Sequence, residues 1–161
     1  MSFYGKSMKL LIDTNVILDV LADREPFAEE SAAIWKYCET GKYEGYISTL
    51  TFANLIYIMR KQLKHNDISR CLASLRLIFR FASLSEKDLV RAVALRWDDY
   101  EDAIQYATAE RISADCIVTR NSGDFRKGSI RTVTPYEFRR YVLDCEYAEY
   151  EAYNEYEDYE P

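Results

Sequence analysis

The stretch MKLLIDTN, residues 8–15, determines how the rest of the chain is interpreted. Its apolar run Leu10–Ile12 is typical of a strand buried on both faces, as in a parallel sheet. Asp13 follows at the carboxyl end of that strand, where open α/β sheets bind their ligands. Two interpretations are open from these residues. Asp13 is a ligand-binding carboxylate, or Asp13 or Thr14 caps the helix that follows.

Beyond residue 15, short apolar runs alternate with segments of helical periodicity. The predicted strands are Leu10–Ile12, Gly45–Ser48, Phe81–Leu84, Cys116–Thr119 and Ile130–Val133. The predicted helices cover about residues 16–21, 27–40, 52–64, 68–80, 85–93, 98–112 and 134–143. Thr49 or Thr51 is the expected cap of the third helix, and residues 120–124 are expected to form a turn. This alternation predicts an α/β domain with a mostly parallel sheet.

Composition narrows the class of protein. A length of 161 residues favours one domain. No apolar run approaches the roughly 18 residues of a membrane span, and no signal peptide precedes the first strand. Four cysteines without close pairing indicate reduced thiols in a cytoplasmic protein. The single histidine, His65, argues against histidine-based catalysis and a zinc site.

The net charge of −6 is concentrated in the C-terminal tail. Removing the seven acids of residues 146–161 from the total of 27 leaves 20 acids against 21 bases in residues 1–145. We therefore expect a neutral folded domain over 1–145 and an acidic Tyr/Glu-rich tail over 146–161. The high charge and the absence of Val, Leu, Ile and Met favour disorder in that tail, or ordering against a basic surface.

Four segments that are far apart in the sequence are expected to place carboxylate or amide side chains at one edge of the predicted parallel sheet. Asp13 follows the first strand, and Asn54 lies at the start of the helix after the second. Asn121 and Asp124 follow the strand that ends at residue 119, and the helix beginning near Asp99 returns to the same edge. Capping and helix-dipole roles explain one or two such residues. Four together favour a shared site.

Clustered carboxylates repel one another unless a cation neutralises them. Mg²⁺ and Mn²⁺ prefer carboxylate, amide and water oxygens, so either ion suits this edge. The chain has no phosphate-binding glycine loop and no Ser/His/Asp or Cys/His set. What remains is metal-assisted hydrolysis, most naturally of a phosphodiester.

Four pieces of the chain carry a family resemblance: LIDTN (11–15), TLTFAN (49–54), DYEDA (99–103), and IVTRN (117–121) with DF (124–125). With these pieces in this order, the chain resembles the PIN-domain family of metal-dependent ribonucleases, in its VapC-like toxin branch. The resemblance implies a three-layer α/β/α sandwich, one or two Mg²⁺ or Mn²⁺ ions and endonucleolytic cleavage of RNA. It also implies a homodimer and a neighbouring antitoxin protein.

When the roles of the family's site residues are assigned to the matching positions of this chain, the resemblance implies four catalytic, metal-binding acids: Asp13, Asp99, Asp102 and Asp124. It implies that three residues support them by hydrogen bonds: Thr14, Asn15 and Thr119. The chain departs from the common family pattern at two positions, where Asn54 and Asn121 stand in place of acids. Their amide oxygens can bind a metal but add no charge, so we expect a weaker metal site.

Three basic residues flank the predicted site and are candidate RNA contacts: Arg120, Arg126 and Lys127. Side chains of this kind position a strand by its phosphates without reading its sequence. The leading hypothesis is a metal-dependent endoribonuclease that is the toxin of a toxin–antitoxin pair. The alternative is a PIN-like module that binds RNA or protein without cutting. A phosphatase or receiver-like role for Asp13 fits less well, because no second aspartate lies two residues on.

Overall fold

The computed structural model describes residues 7–62, 64–125 and 127–157, with side chains as far as Glu151. Its centre is a five-stranded sheet in the order β3-β2-β1-β4-β5, and every neighbouring pair is parallel. The strands are β1 Lys9–Ile12, β2 Glu44–Ser48, β3 Arg80–Ala82, β4 Cys116–Val118 and β5 Arg131–Val133. The helices are α1 Thr14–Leu21, α2 Ala28–Glu39, α3 Thr49–Met59, α4 His65–Ile78, α5 Glu86–Leu95, α6 Tyr100–Arg111, α7 Ser122–Phe125 and α8 Pro135–Glu157. The predicted α/β fold is confirmed.

Helices cover both faces of the sheet and produce the three-layer α/β/α arrangement. Leu10 and Ile12 of β1 belong to a core that contains buried side chains of α1, α2, α3, α4 and α8. Leu11 points to the opposite face and shares a second core with Tyr106 of α6 and Phe125 of α7. All three β1 side chains are fully buried, so the prediction of a strand covered on both faces is confirmed.

The strand order reverses between β1 and β4, and ligands of open α/β sheets bind at this switch point. Ile12 pairs in register with Val118, so Asp13 and Thr119 are the next residues of two adjacent strands. The Asp13 N–H donates to the Val118 carbonyl at 3.0 Å, which extends the pairing into the site. The sheet register thus places the two side chains beside each other.

Three local predictions are wrong. Helix α3 starts at Thr49, not near residue 52, because the Ser48 hydroxyl accepts a hydrogen bond from the Thr51 N–H at 3.1 Å and caps it. Neither Thr49 nor Thr51 is the cap. Helix α4 begins at His65, earlier than expected. The segment expected as a turn contains the short helix α7, in which the Asp124 N–H donates to the Asn121 carbonyl at 3.2 Å.

The last helix begins as predicted and then runs much further. Thr134 and Glu137 form a reciprocal cap at its start. The prediction that it ends near residue 143 is wrong, since α8 continues to Glu157 and the tail is helical that far. The tail has no glycine or proline before Pro161 and is rich in glutamate, a good helix former. Among the residues that the structure describes, no helix, α8 included, is long and apolar enough to cross a membrane. The division at residue 145 stays a prediction.

Candidate active site

Asp13 combines the two roles that the sequence left open. It caps α1, with its Oδ1 accepting from the Thr14 N–H at 2.6 Å, and it also lines a cleft. Its Oδ2 accepts from Asn15 Nδ2 at 2.7 Å and from the Thr119 hydroxyl at 2.6 Å. Burial raises the pKa of Asp13, while these hydrogen bonds and the charge of Arg120 oppose the rise. The carboxylate is therefore fixed in orientation, with both oxygens already engaged.

Asn15 and Thr119 connect the ends of β1 and β4 around this carboxylate. Asn15 Nδ2 also donates to the Thr119 hydroxyl at 3.2 Å, and Asn15 Oδ1 accepts from the Arg120 N–H at 3.1 Å. The Thr119 hydroxyl accepts in turn from the Asn121 N–H at 3.1 Å. The backbone of residues 119–121 is thereby held against the start of α1. Both side chains occupy positions suited to the supporting role that the resemblance implies.

The Thr14 side chain points into a buried polar contact between three helices. Its hydroxyl donates to the Thr51 hydroxyl of α3 at 3.3 Å, and that atom also accepts from Gln105 Nε2 of α6 at 2.9 Å. Thr51 and Gln105 are buried. Thr14 therefore reaches Asp13 through its backbone N–H, while its side chain holds α1 against α3.

The first turn of α6 supplies two acids to the cleft in different environments. Asp99 is exposed and caps the helix, with its Oδ1 accepting from the N–H groups of Glu101 at 2.9 Å and Asp102 at 3.1 Å. Asp102 is partly buried, and its pKa is raised to about 7. Burial is the main cause, followed by the negative charges of Asp13, Asp99, Asp124 and Glu101. The carboxylates thus act on one another even though they come from distant segments.

Glu101 joins this acidic group and was not predicted. Burial raises its pKa, the charges of Asp13 and Asp99 raise it further, and a hydrogen bond from Asn54 opposes the rise. In that bond Asn54 Nδ2 donates to Glu101 Oε1 at 2.5 Å. From sequence, the only signal was an acid in the first turn of a helix, which the helix dipole explains equally well.

The cleft itself has a volume of about 250 Å³. Its walls carry three of the four predicted catalytic acids, one predicted amide, two predicted supporting residues and four residues that were not singled out: Asp13, Asp99 and Asp102, then Asn121, then Thr14 and Asn15, and finally Leu18, Arg24, Ile58 and Glu101. Asp124 and Asn54 are not among its lining residues. Asp124 is exposed on α7, and its negative charge is one of the causes that raise the pKa of Asp102.

Within residues 7–62, 64–125 and 127–157, no three His, Cys, Asp or Glu side chains are close enough to hold a metal ion together. Both oxygens of Asp13 accept from neighbouring donors, and Asp99 Oδ1 accepts from two backbone N–H groups. The acids share a cleft, and donors of the fold hold both oxygens of Asp13 and Oδ1 of Asp99.

Arg120, predicted to contact RNA, is directed inward. Its Nε lies 3.3 Å from Oδ2 of Asp19, a fully buried acid of α1, and its guanidinium lies 4.3 Å from the centre of the Phe27 ring. Asp19 also accepts from the Ser31 hydroxyl at 3.2 Å. Burial raises the pKa of Asp19, against the charges of Arg120 and Arg24 and the Ser31 hydrogen bond. Asp19 was missed because an acid within a helix gives no sequence signal of its burial.

The other two predicted RNA contacts are Lys127 and Arg126, and the structure describes only the first. Lys127 is half exposed, and its Nζ lies 3.3 Å from the exposed carboxylate of Asp98. An exposed pair of this kind contributes little to stability, so Lys127 is available to other anions. Arg126 lies outside the described residues.

These features define a class of protein: a parallel α/β domain with an acidic, oxygen-rich cleft at the switch point of its sheet. A family model described as PIN domain matches residues 9–123, and the chain belongs to the PIN-domain family. The family expectation from the four short motifs is confirmed. A search of curated proteins found no match.

Several solved structures share the fold. FitAcB from Neisseria gonorrhoeae is 22% identical, covers 79% of this chain and 98% of its own, and has a TM-score of 0.61. A toxin–antitoxin complex from Klebsiella pneumoniae is 27% identical over 79% of this chain and 98% of its own, with a TM-score of 0.62. VapC20 of Mycobacterium tuberculosis, a sarcin-ricin loop cleaving toxin, is 13% identical over 74% and 95%, with a TM-score of 0.59.

Proposed function

We propose that this chain is a metal-dependent endoribonuclease and the toxin of a toxin–antitoxin pair. The observation that carries the proposal is the convergence of Asp13, Asp99, Glu101 and Asp102 on one cleft of a PIN domain. Structures with the same fold support it, since one is titled a toxin–antitoxin complex and another a toxin that cleaves the sarcin-ricin loop.

The donor chemistry of the cleft fits Mg²⁺ or Mn²⁺. Burial, followed by the negative charges of the neighbouring acids, raises the pKa of Asp102 to about 7, and a divalent cation relieves the part of this cost that comes from those charges. The residues that would hold the ion are the four predicted acids with the two amides: Asp13, Asp99, Asp102, Asp124, Asn54 and Asn121. Once bound, such an ion activates a water and stabilises charge on a phosphoryl group.

The remaining residues of the cleft orient these groups. Asn15 and Thr119 hold the Asp13 carboxylate by hydrogen bonds, and Asn15 also fixes the backbone at Arg120. Arg24 lines the cleft and offers a positive charge to a phosphate. Lys127 extends that positive charge outside the cleft as a further RNA contact, Arg120 contacts RNA from within its ion pair with Asp19, and Arg126 stays a candidate RNA contact on sequence grounds.

Partners follow from the same proposal. An antitoxin would cover the acidic cleft, and two copies would associate through apolar surface. Helix α5 exposes Leu89, Val90 and Val93, of which Val90 and Val93 are more than half exposed, and they offer such a surface. Sedimentation of the purified chain at increasing concentration tests self-association, and a mass that stays monomeric contradicts it.

The decisive experiment is RNA cleavage by the purified chain with Mg²⁺ or Mn²⁺. We expect EDTA to stop cleavage, and Asp13→Asn or Asp102→Asn to reduce it by more than about 100-fold, since even outer partners of metal ligands cost roughly 10–100-fold. Asp144→Asn, at an exposed position of α8 outside the cleft, is the matched control and should cleave normally. Cleavage that persists in the two cleft variants would show that another site carries the activity.

A second candidate is a PIN module that binds RNA or protein without cutting it. One observation favours it: Asn54, in place of an acid, uses its amide to donate to Glu101 and adds no charge to the cleft. Calorimetric titration with Mn²⁺ separates the two candidates. An affinity weaker than millimolar, together with RNA binding and no cleavage, favours the binding module.

A further inference from the structure

Arg24 is the only base among the described residues that line the acidic cleft, where it lies with four acids. Its side chain is 43% exposed, so a ligand in the cleft can reach it. Two roles are open to a guanidinium in such a place. It neutralises the acids as their counter-ion, or it binds a phosphate of the substrate.

The contacts of Arg24 favour the second role. In the part of the chain that the structure describes, the only carboxylate within 4 Å of Arg24 is that of Asp19, which does not line the cleft. Nor is the charge of Arg24 among the main causes that shift the pKa values of the cleft acids Asp13, Glu101 and Asp102. Arg24 therefore does not serve as their counter-ion, and its guanidinium is available to a phosphate.

Asp19 is a fully buried residue of α1 that faces Arg24 from inside the fold. Its Oδ1 lies 3.8 Å from Arg24 Nη1 and has no hydrogen-bond partner among the described residues. The Arg24 N–H donates to the Asp19 carbonyl at 3.0 Å, so the two residues are also joined through the main chain. An unpaired buried acceptor is unfavourable, and an approach of about 1 Å turns this contact into a charge-assisted hydrogen bond.

The other oxygen of Asp19 is fixed by two groups of the fold. Its Oδ2 accepts from the Ser31 hydroxyl at 3.2 Å and lies 3.3 Å from Arg120 Nε. Arg120 has further support, because its guanidinium lies 4.3 Å from the centre of the Phe27 ring. The guanidinium of Arg24, by contrast, has Asp19 as its one polar partner among the described residues. Loss of Asp19 should therefore free Arg24 more than Arg120.

The charges around Asp19 leave a positive excess at the wall of the cleft. Arg24 and Arg120 bring two positive charges against the one negative charge of Asp19, a net of +1. The phosphate of an RNA backbone carries a single negative charge. This part of the wall therefore suits a phosphate, although the rest of the cleft is acidic.

We propose that Asp19 is a positioning residue of this site: its buried carboxylate holds the Arg24 guanidinium at the wall of the cleft, where Arg24 binds a phosphate of the RNA. The inference rests on the proposed function, because it needs RNA as the ligand. A guanidinium that is already fixed loses less conformational freedom when the phosphate binds, so the affinity for RNA is higher. Arg24 touches the RNA, whereas Asp19 acts through Arg24.

The test measures affinity for a short single-stranded RNA by fluorescence anisotropy in Mg²⁺, with the full chain carrying Asp102→Asn so that the RNA stays intact. Adding Arg24→Ala should weaken binding roughly tenfold or more, as the loss of a charged hydrogen bond does. Adding Asp19→Asn should weaken it roughly two- to tenfold, the cost of ordering a side chain that is no longer held. If Asp19 acted by its charge alone, removing that charge would strengthen the binding of an anion.

A double-mutant cycle separates positioning from a structural role. In the Arg24→Ala background, Asp19→Asn should cause little further loss, because no guanidinium is left to position. Asp88→Asn is the matched control, since Asp88 is a similarly buried acid 2.7 Å from Arg111 Nε and neither residue lines the cleft. It should leave the affinity for RNA unaltered. In the chain with an intact Asp102, Asp19→Asn should raise the KM of cleavage and leave kcat nearly unchanged.

If circular dichroism shows that Asp19→Asn fails to fold, Ser31→Ala takes its place, because it removes one bond to Asp19 and keeps the charge. It should weaken RNA binding roughly twofold, and only when Arg24 is present. Tighter or unaltered binding in the folded variant, or a loss that persists without Arg24, overturns the positioning role. So does Arg24→Ala that binds RNA normally. Cleavage by the wild-type chain would then still support the proposed function, whereas absence of any RNA binding overturns both.

Discussion

Two aspartates of the same cleft, Asp13 and Asp102, are held in opposite ways. Asp13 is 6% exposed, and its carboxylate accepts from Thr14, Asn15 and Thr119. For Asp102, burial is the main cause that raises the pKa, four further causes are negative charges of other acids, and none is a hydrogen bond. One carboxylate is held by donors and the other is repelled by its neighbours.

The difference separates what the fold provides from what a ligand must provide. The donors around Asp13 come from the start of α1 and from Thr119, which directly follows β4, so they are in place once β1 and β4 pair. The repulsion at Asp102 is relieved only by a proton or a cation. We therefore predict that Asp13 stabilises the folded protein and that a charged Asp102 destabilises it, even if cleavage requires both acids.

Asp13→Ala tests the stabilising side of this comparison and should have the largest effect. Loss of the cap and of the acceptor for Asn15 and Thr119 should lower the free energy of unfolding by about 2 kcal/mol, after the gain from removing a buried charge. The melting temperature should fall by about 4–8 °C. Urea unfolding measures the change. Asp13→Asn keeps an acceptor and should lose much less, and equal losses in both would contradict the hydrogen-bond account.

Added Mn²⁺ tests whether a cation relieves the repulsion. At ten times its Kd, a bound ion should raise the free energy of unfolding by about 1.4 kcal/mol. Thermal unfolding in increasing Mn²⁺ measures the gain. The gain should shrink in Asp102→Asn and persist in Asp144→Asn, which is exposed on α8. Equal gains in all three proteins would place the ion elsewhere.

Asp102→Asn tests the destabilising side in the absence of metal. Since the pKa of Asp102 is raised from 3.8 to about 7, the folded protein holds a proton that the unfolded chain has lost, and stability falls as pH rises through that window. At pH 8 the free energy of unfolding of the variant should therefore be about 1 kcal/mol higher than that of the wild-type chain. The gain is no larger because solvent screens part of the repulsion. Denaturation in EDTA at pH 5 and pH 8 measures the gain. If Asp102→Asn raised the free energy of unfolding as much at pH 5 as at pH 8, the charge of Asp102 would not be the cause of the destabilisation.

Asn54→Ala should have the smallest effect. The Asn54 amide donates to Glu101 and opposes the rise of the Glu101 pKa, so its removal should move that pKa further upward. A carboxyl ¹³C NMR titration follows the change. Asn66→Ala, at an exposed position of α4, should leave the titration unaltered. A downward shift in Asn54→Ala would show that the amide does not stabilise the charged form.

Elements whose residues carry a strong local pattern were predictable. The buried runs of β1 and β4 and the small-residue face of α6 are specified within a few residues of sequence, and strand ends place polar side chains at one edge. The sequence predicts too short a helix α8 because the tyrosines of the tail recur every third residue from Tyr147 to Tyr159 and so form no fixed helical face, although the helix propensity of its glutamates continues the helix. The cap at Ser48 was missed because three neighbouring hydroxyls fit that role equally well from sequence.

The site was predictable only where chain order implies proximity. Asp13, Asp99, Asp102 and Asn121 line the cleft because strand ends and helix starts meet at one edge of a parallel sheet. Glu101 and Arg24 could not be chosen from sequence, since exposed helical and loop charges are common. The inward position of Arg120 depends on Asp19, whose burial arises from packing between α1 and α2. Such contacts require the tertiary structure.

The pairing of Ile12 with Val118 has a consequence for how this chain tolerates change. Side chains alternate between the two faces along a strand, so deletion of one residue from β1 would turn Asp13 toward a core and bring an apolar residue to the cleft. Insertions in the loops, by contrast, leave this pairing unaltered. Length changes in β1 and β4 should therefore be absent from functional variants, even though the deleted residues never touch a ligand.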